Sequence, residues 1–214
     1  NGVSVGKGAN SVAGNTVLGE GALDAAVTGV NNTAIGKNSL SAVTSGVNNT
    51  AVGGNTLQVN TGSHNAALGY FALGANTSGA QNTALGKDSL GSNTTASNNT
   101  GIGFKALELN TTGSLNTALG SDALKSNTTG SSLTGIGYEA LRENTTASNN
   151  TAIGRSALLA NTTGSDNTAT GHLTLVSNTT GFQNVAVGGT ALDANTTGDR
   201  NIGIGYAALG ANTT

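Results

Sequence analysis

The chain has 214 residues and a formal net charge of −2, and only 8% of its residues are charged and 3% aromatic. This balance excludes the basic face that a nucleic-acid partner requires, and no apolar run reaches the roughly 18 residues of a membrane helix. Cysteine is absent from the sequence, which removes disulfides and thiolate metal sites. We therefore expect no cofactor, no nucleic-acid partner and no direct membrane insertion.

One glycine recurs along the chain at a nearly constant spacing. The step from Gly19 to Gly36 is repeated throughout the rest of the sequence, except that the step from Gly53 to Gly69 lacks a single residue. We call the coil between these two glycines the shortened coil. An earlier copy, Gly6, precedes Gly19 by a smaller interval still. Self-similarity at a fixed period is the signature of a repeat architecture.

The repeat runs through the whole chain. We predict a single repeat domain over residues 1–214, with a short coil over 1–14 and repeating coils over 15–214. Because the chain lacks an initial Met and stops inside a repeat, we expect a piece of a longer protein.

The columns of the repeat define its local structure. We number positions from the asparagine that precedes the Thr-Ala-Leu-Gly type of segment, so that Asn116 is position 1 and Gly120 is position 5. Positions 2 to 4 read mostly Thr, then Ala or Gly, then Ile, Leu or Val, which predicts a short strand. Position 9 is leucine from Leu23 to Leu209, and positions 12 to 15 read mostly Asn-Thr-Thr-Gly, which is turn chemistry.

This pattern predicts an all-β fold, a parallel β-solenoid with coils of about 17 residues. A helical repeat is the competing interpretation, but Asn, Thr and Gly crowd every coil and are poor helix formers. Identical residues would stack about 4.8 Å apart, so twelve coils would form a rod of roughly 60 Å. We expect the asparagine columns to form amide ladders along this rod.

The alternation at positions 2 to 4 also predicts which side chains lie inside. We expect positions 2 and 4 to face the coil interior, because Val185 and Ile202 are apolar entries at position 2. Position 3 would then point outward, yet it holds only small residues apart from Val17. A surface column of small residues indicates that another backbone packs on it, so we predict a subunit-packing seam. Its residues are Ala34, Ala51, Ala67, Ala84, Gly101, Ala118, Gly135, Ala152, Ala169, Ala186 and Gly203.

A second candidate surface is a row of aromatic residues at position 6. It comprises Tyr70, Phe104, Tyr138 and Tyr206, and the first three lie on alternate coils. An exposed aromatic row would bind sugars or protein; the alternative is that it packs against a neighbouring subunit or turn. Nearly all charged residues lie at the predicted turns, where we expect them to be solvated.

The sequence offers little for catalysis or metal binding. His64 and His172 occupy different positions of the repeat, and no Gly-Lys-Ser/Thr follows the glycines as in a phosphate-binding loop. Almost every polar residue is repeated, whereas a catalytic set needs singular residues. We expect no enzyme and no metal site. The Asn-Thr-Thr triplets also match the N-glycosylation signal, which we interpret mostly as a by-product of turn composition.

The strand segments carry a family resemblance. NNTAIG (31–36), NNTAVG (48–53), QNTALG (81–86) and QNVAVG (183–188) resemble the head repeat of YadA-type trimeric autotransporter adhesins, and similar longer repeats occur in phage tail-fibre-like proteins. The resemblance covers nearly the whole chain but is confined to the strand, since the family repeat is shorter and lacks Asn-Thr-Thr-Gly. It implies a left-handed parallel β-roll, three chains wrapped into a rod, and a place on a cell or virion surface.

These observations favour a non-catalytic structural or adhesive rod of an extracellular surface fibre. We expect self-association as a homotrimer or filament, because each thin coil buries few large apolar side chains, and a host or matrix protein or a glycan as an outside partner. Two alternatives stay open. One is an ice-binding β-solenoid that uses the Thr ladders at positions 13 and 14. The other is an amyloid-like matrix filament in which coils of different molecules stack end to end.

Overall fold

The structure, a computed structural model, describes residues 4–213. Within this range the chain forms one sheet of thirteen strands in sequence order and no helix. The strands are β1 Ser4–Gly6, β2 Thr16–Gly19, β3 Thr33–Ile35, β4 Thr50–Val52, β5 Ala66–Leu68, β6 Thr83–Leu85, β7 Thr100–Ile102, β8 Thr117–Leu119, β9 Thr134–Ile136, β10 Thr151–Ile153, β11 Thr168–Thr170, β12 Val185–Val187 and β13 Ile202–Ile204.

Strands β2 to β13 form a parallel β-solenoid. Each pairs in register with the strand one coil later, as Thr117, Ala118 and Leu119 pair with Thr134, Gly135 and Ile136. The register survives the shortened coil, where Thr50 pairs with Ala66 and Ala66 with Thr83. The predicted fold class and coil length are therefore confirmed.

Residues 4–14 differ from the short coil that we predicted over residues 1–14, of which residues 1–3 lie outside the described range. Strand β1 runs antiparallel to β2, with Ser4 opposite Gly19 and Gly6 opposite Val17. The interval from Gly6 to Gly19 is too short for a full coil and lacks the Asn-Thr-Thr-Gly turn, so the chain reverses instead of completing a circuit. The rest of this segment lies over the first coil, where Ala9 N donates to Leu23 O at 3.2 Å.

Each coil turns through residues with positive φ. The recurring glycine has φ between +121° and +153°, and in the coil of Gly120 the residues Asp122, Leu124 and Ser132 have φ of 55°, 53° and 59°. A left-handed conformation costs a residue with a Cβ roughly 1–2 kcal/mol. Hydrogen bonds between coils hold it in place: Leu124 N donates to Ala140 O at 2.9 Å, and the leucine side chain is fully buried.

The prediction for the two faces of the strand is wrong. Position 3 faces the coil interior, and Ala118 is 0% exposed, whereas positions 2 and 4 lie on the outer face. The predicted subunit seam is therefore excluded, because its residues have almost no surface to offer another chain. These buried residues are Ala34, Ala51, Ala67, Ala84, Gly101, Ala118, Gly135, Ala152, Ala169, Ala186 and Gly203.

The narrow interior explains why position 3 is small. A Cβ placed on Gly135 would lie 3.1 Å from Leu124 Cγ and 3.2 Å from Ala140 O, and one on Gly101 would lie 2.7 Å from Ser89 Oγ. The position-9 leucine of the preceding coil thus fills the space beside position 3. A backbone does pack against this column, as its small residues indicated, but it belongs to the same chain.

The recurring glycine is the position where substitution should cost most. A Cβ on Gly120 would clash with the carbonyl oxygen of Gly137 at a φ of +140°. We expect Gly120→Ala to lower the free energy of unfolding by about 3 kcal/mol or more, measured by urea denaturation. Gly54→Ala is the matched control, since the nearest atom to its Cβ would be Tyr70 Cδ2 at 3.5 Å, an ordinary van der Waals contact, and it should change stability by less than about 1 kcal/mol. Equal losses would contradict this account.

Candidate interaction surfaces

The outer face of the sheet carries a continuous aliphatic row at position 4. Leu68 is 51% exposed and Leu119 is 45% exposed, although both are large apolar side chains within strands. One polar residue, Thr170, interrupts the row. The row comprises Leu18, Ile35, Val52, Leu68, Leu85, Ile102, Leu119, Ile136, Ile153, Thr170, Val187 and Ile204.

A threonine row at position 2 runs beside it on the same face. Its residues, interrupted by Ala66, Val185 and Ile202, are Thr16, Thr33, Thr50, Thr83, Thr100, Thr117, Thr134, Thr151 and Thr168. Positions 2 and 4 are about 7 Å apart along a strand, and eleven steps of about 4.8 Å give a length of about 50 Å. We call these two rows the outer sheet face. Its area, on the order of several hundred Å², is that of the largest surface patch on a typical monomer, and such patches are often functional.

The outer sheet face contains a depression in the shortened coil. Where Ala66 replaces the usual threonine, the side chains of Val52, Leu68 and Leu85 line an open apolar hollow of about 250 Å³. The small side chain of Ala66, between Thr50 and Thr83, interrupts the regular surface of the face at this point. The sequence showed the shortened turn but not this consequence, since we had placed position 2 inside.

The position-6 aromatic residues lie on the surface, as predicted. Tyr70, Phe104 and Tyr138 are 53%, 44% and 48% exposed, and Tyr206 is also exposed. The ammonium groups of Lys87 and Lys105 lie 5.7 and 5.5 Å from the centroid of the Phe104 ring, within the range of a cation–π interaction. Whether the row binds a ligand stays a prediction.

Two asparagine ladders occupy the interior, as predicted. At position 12, Asn127 Nδ2 donates to Asn110 Oδ1 at 2.9 Å and to Gly130 O at 2.9 Å. At position 1, the backbone N–H of Asn116 donates to Asn99 Oδ1 at 3.0 Å, and its Nδ2 donates to Gly130 O at 2.9 Å. These side chains are 0% exposed. The Asn-Thr-Thr asparagines of the regular coils are therefore closed to modification in the folded chain.

The position-13 threonines form a further ladder. Thr128 Oγ1 donates to Thr145 O at 3.0 Å, and the same bond recurs from Thr77 to Thr196. Each hydroxyl proton is thus engaged with the backbone of the next coil. The neighbouring position-14 threonines, such as Thr129, remain exposed.

Charged residues pair at one turn instead of being solvated singly. Lys105 Nζ lies 3.1 Å from Glu108 Oε1, and Lys125 Nζ lies 3.3 Å from Asp122 Oδ1. The hydrogen bond to Glu108, together with its charge, raises the pKa of Lys105. The four side chains lie at the surface and are 18% to 27% exposed, so solvent still screens the pairs and they contribute little to stability. Their main effect is to leave the turn without net charge.

The histidine and carboxylate side chains form no metal-binding cluster in the described structure. Between residues 4 and 213, no three His, Asp or Glu side chains lie close enough together to hold a metal ion. The same part of the chain contains no helix with the length and apolarity of a membrane span. His64 shares a hydrogen bond with Asn48 at 3.1 Å, while His172 lies elsewhere, at position 6.

Comparisons with known proteins identified no relative of this chain. No protein-family model matches the sequence, and neither a curated protein nor a solved structure matches the chain. Arguments about function therefore depend on the geometry of this chain and on the resemblance of its strand segments.

The ladders provide a stability test within one turn. Asn127→Ala would leave Asn110 Oδ1 and the Nδ2 of Asn144 without their 2.9 and 3.0 Å partners. We expect a loss of about 3 kcal/mol in the free energy of unfolding, because both groups are buried. The control Thr129→Ala, in the same turn and exposed, should be nearly neutral. Similar denaturation midpoints for the two variants would show that the ladder adds no stability.

Proposed function

We propose that the chain is a non-catalytic structural and adhesive rod of an extracellular surface fibre, and that it assembles as a left-handed homotrimer. The observation that carries the proposal is the outer sheet face. Aliphatic side chains such as Leu85, Leu119 and Ile153 line it along the whole solenoid. Their exposure to water is unfavourable over an area this large.

Self-association would bury the exposed aliphatic side chains of the outer sheet face. The face repeats at every coil and carries no charged residue at positions 2 and 4, so a second copy of the chain offers it the same aliphatic and threonine rows. The resemblance of NNTAIG and NNTAVG to trimeric adhesin heads supports three chains around one axis and a left-handed coil. The proposed interface therefore moves from position 3, which is buried inside each coil, to positions 2 and 4.

The interior suits a rod rather than a catalyst. Hydrogen bonds join each coil to the next through the strands, the two asparagine ladders and the position-13 threonines. Such contacts repeat from coil to coil, so length can grow by adding coils. The asparagine side chains and the position-13 hydroxyl groups are committed to these ladders, which supports a mechanical role on a cell or virion surface.

Ice binding is the second candidate, and the outer sheet face gives it a new basis. The position-2 threonines, which we had placed inside, are at least partly exposed in regular ranks. The threonines at positions 13 and 14 are the weaker candidates, because the position-13 hydroxyl protons already bond to carbonyl groups. In this reading the outer sheet face would meet ice instead of another chain.

Light scattering on the folded chain tests the assembly. We expect a mass three times the chain mass of 20.6 kDa, and we expect Leu85→Lys/Ile153→Lys to reduce it to a single chain because the charges lie within the proposed interface. Leu109→Lys/Leu115→Lys is the control. It adds the same charge at two exposed side chains, at positions 11 and 17, that are not part of the two rows of this face, and it should keep the native mass.

A native chain that is a stable monomer would contradict the proposal. Open-ended growth would favour the stacked matrix filament instead of the trimer.

Thermal hysteresis separates the second candidate from the first. A fibre rod should produce no hysteresis and no ice shaping at concentrations where ice-binding proteins are active. Hysteresis that disappears in Thr117→Lys but persists in Thr129→Lys would favour the ice-binding reading, because Thr117 lies on the outer sheet face and Thr129 on a turn.

A further inference from the structure

A planar ring occupies position 6 on every second coil from Tyr70 to the last coil. His172 completes the aromatic row, since it lies two coils after Tyr138 and two coils before Tyr206. The sequence contained this signal, but His172 was considered only as a metal ligand. All of these rings are exposed, and two coils separate neighbouring rings by about 9.6 Å. We call Tyr70, Phe104, Tyr138, His172 and Tyr206 the ring row.

The residues between the rings are not aromatic. The intervening coils carry Lys87, Ser121, Arg155 and Gly189 at position 6, so no second ring crowds the first, although the Lys87 ammonium group lies over the Phe104 ring. Tyr206 leans over the backbone of the preceding coil, where a Cβ on Gly189 would lie 3.6 Å from its Cδ2. Tyr70 lies in the same way over Gly54, at 3.5 Å. One side of each of these two rings is therefore supported by backbone.

We propose that the ring row binds a linear, uncharged polysaccharide of equatorially linked hexopyranoses that runs parallel to the rod. The faces of such sugars present C–H groups that pack on aromatic rings, while their hydroxyl groups remain in water. An extended chain of this linkage advances per sugar by a distance similar to the height of one coil. Every second sugar can then stack on a ring without a change of register.

Charge along the row favours an uncharged chain. Positions 6 and 7 between Tyr70 and His172 hold equal numbers of cations and anions, namely Lys87, Lys105, Arg155, Asp88, Asp122 and Glu139. Lys87 and Lys105 are paired with acids, Asp88 at 3.3 Å and Glu108 at 3.1 Å. A polyanion would find no net attraction here, and nucleic acid is disfavoured for the same reason.

The proposal deepens the adhesive part of the proposed function and rests on it for the biological context. The two are nevertheless separable by experiment. Molecular mass reports assembly through the outer sheet face, whereas ligand binding reports on the ring row, which lies just beyond position 4 on each coil. If the mass measurement contradicts the trimer, the binding measurement can still be interpreted, and the reverse is also true.

Tyrosine fluorescence tests the proposal directly. Tyr70, Tyr138 and Tyr206 are the three tyrosines of the chain, and tryptophan is absent, so the emission arises from the ring row. We expect cellohexaose or chitohexaose to change this emission saturably and to bind about tenfold more tightly than the corresponding disaccharide, because the longer chain reaches more than one ring.

Matched variants identify the rings as the contact. Phe104→Ala/His172→Ala removes two rings but retains every tyrosine, and it should weaken hexasaccharide binding by about tenfold. Leu109→Ala/Leu115→Ala removes equally exposed side chains away from the row and should bind like the native chain. Tyr138→Phe retains the ring and should also bind normally.

Several outcomes would overturn the proposal. These are no binding of either hexasaccharide, equal binding by the Phe104→Ala/His172→Ala variant, and tighter binding of the anionic chain alginate. A fourth is a Phe104→Ala/His172→Ala variant that loses its trimeric mass and leaves sugar binding unchanged, because the row would then be a contact between subunits.

Discussion

The width of the coil is the constraint on which the structure depends. From β3 onward, each strand meets the position-9 leucine of the preceding coil across a gap that holds only a methyl group or a hydrogen at position 3, as the 3.1 Å approach of Leu124 to a Cβ on Gly135 shows. With the interior filled by leucine, small residues and hydrogen-bonded asparagine, no room remains for a second aliphatic column. The position-4 side chains are therefore forced outward, and the same narrowness that stabilises one coil creates the outer sheet face.

This constraint explains what the sequence could and could not predict. Periodicity was sufficient for the solenoid, the coil length, the turns and the asparagine ladders, because each follows from spacing alone. The predicted orientation of the strands was wrong, because we assigned the more apolar positions 2 and 4 to the coil interior. Hydrophobicity decides burial only where the interior has space, and the size limit at Ala118 and Gly135 was the more informative signal. The tight packing that it indicated was real, but the partner was Leu124 rather than another subunit.

Two surfaces with different chemistry follow from this architecture. The outer sheet face offers aliphatic and threonine side chains in long regular rows, which suit a partner of the same repeat. The ring row lies slightly further along each coil and offers planar rings at twice the coil spacing, which suits a polymer of flat units. In the function that we propose, the rod assembles through one surface and binds through the other, which combines structural and adhesive roles.

The reaction rate of single introduced cysteines tests the outward position of the aliphatic row most directly, because the native chain has none. Val17→Cys and Leu18→Cys, at positions 3 and 4 of β2, each replace a larger side chain and therefore fit the native fold; the first is buried and the second is 45% exposed. Each would be placed in the Leu85→Lys/Ile153→Lys background, which keeps the outer sheet face uncovered, and labelled with a maleimide under native conditions. The account predicts that the thiol at position 18 reacts nearly as fast as in the unfolded chain, while the thiol at position 17 is protected until the chain unfolds. Fast labelling at 17 with protection at 18 would contradict it.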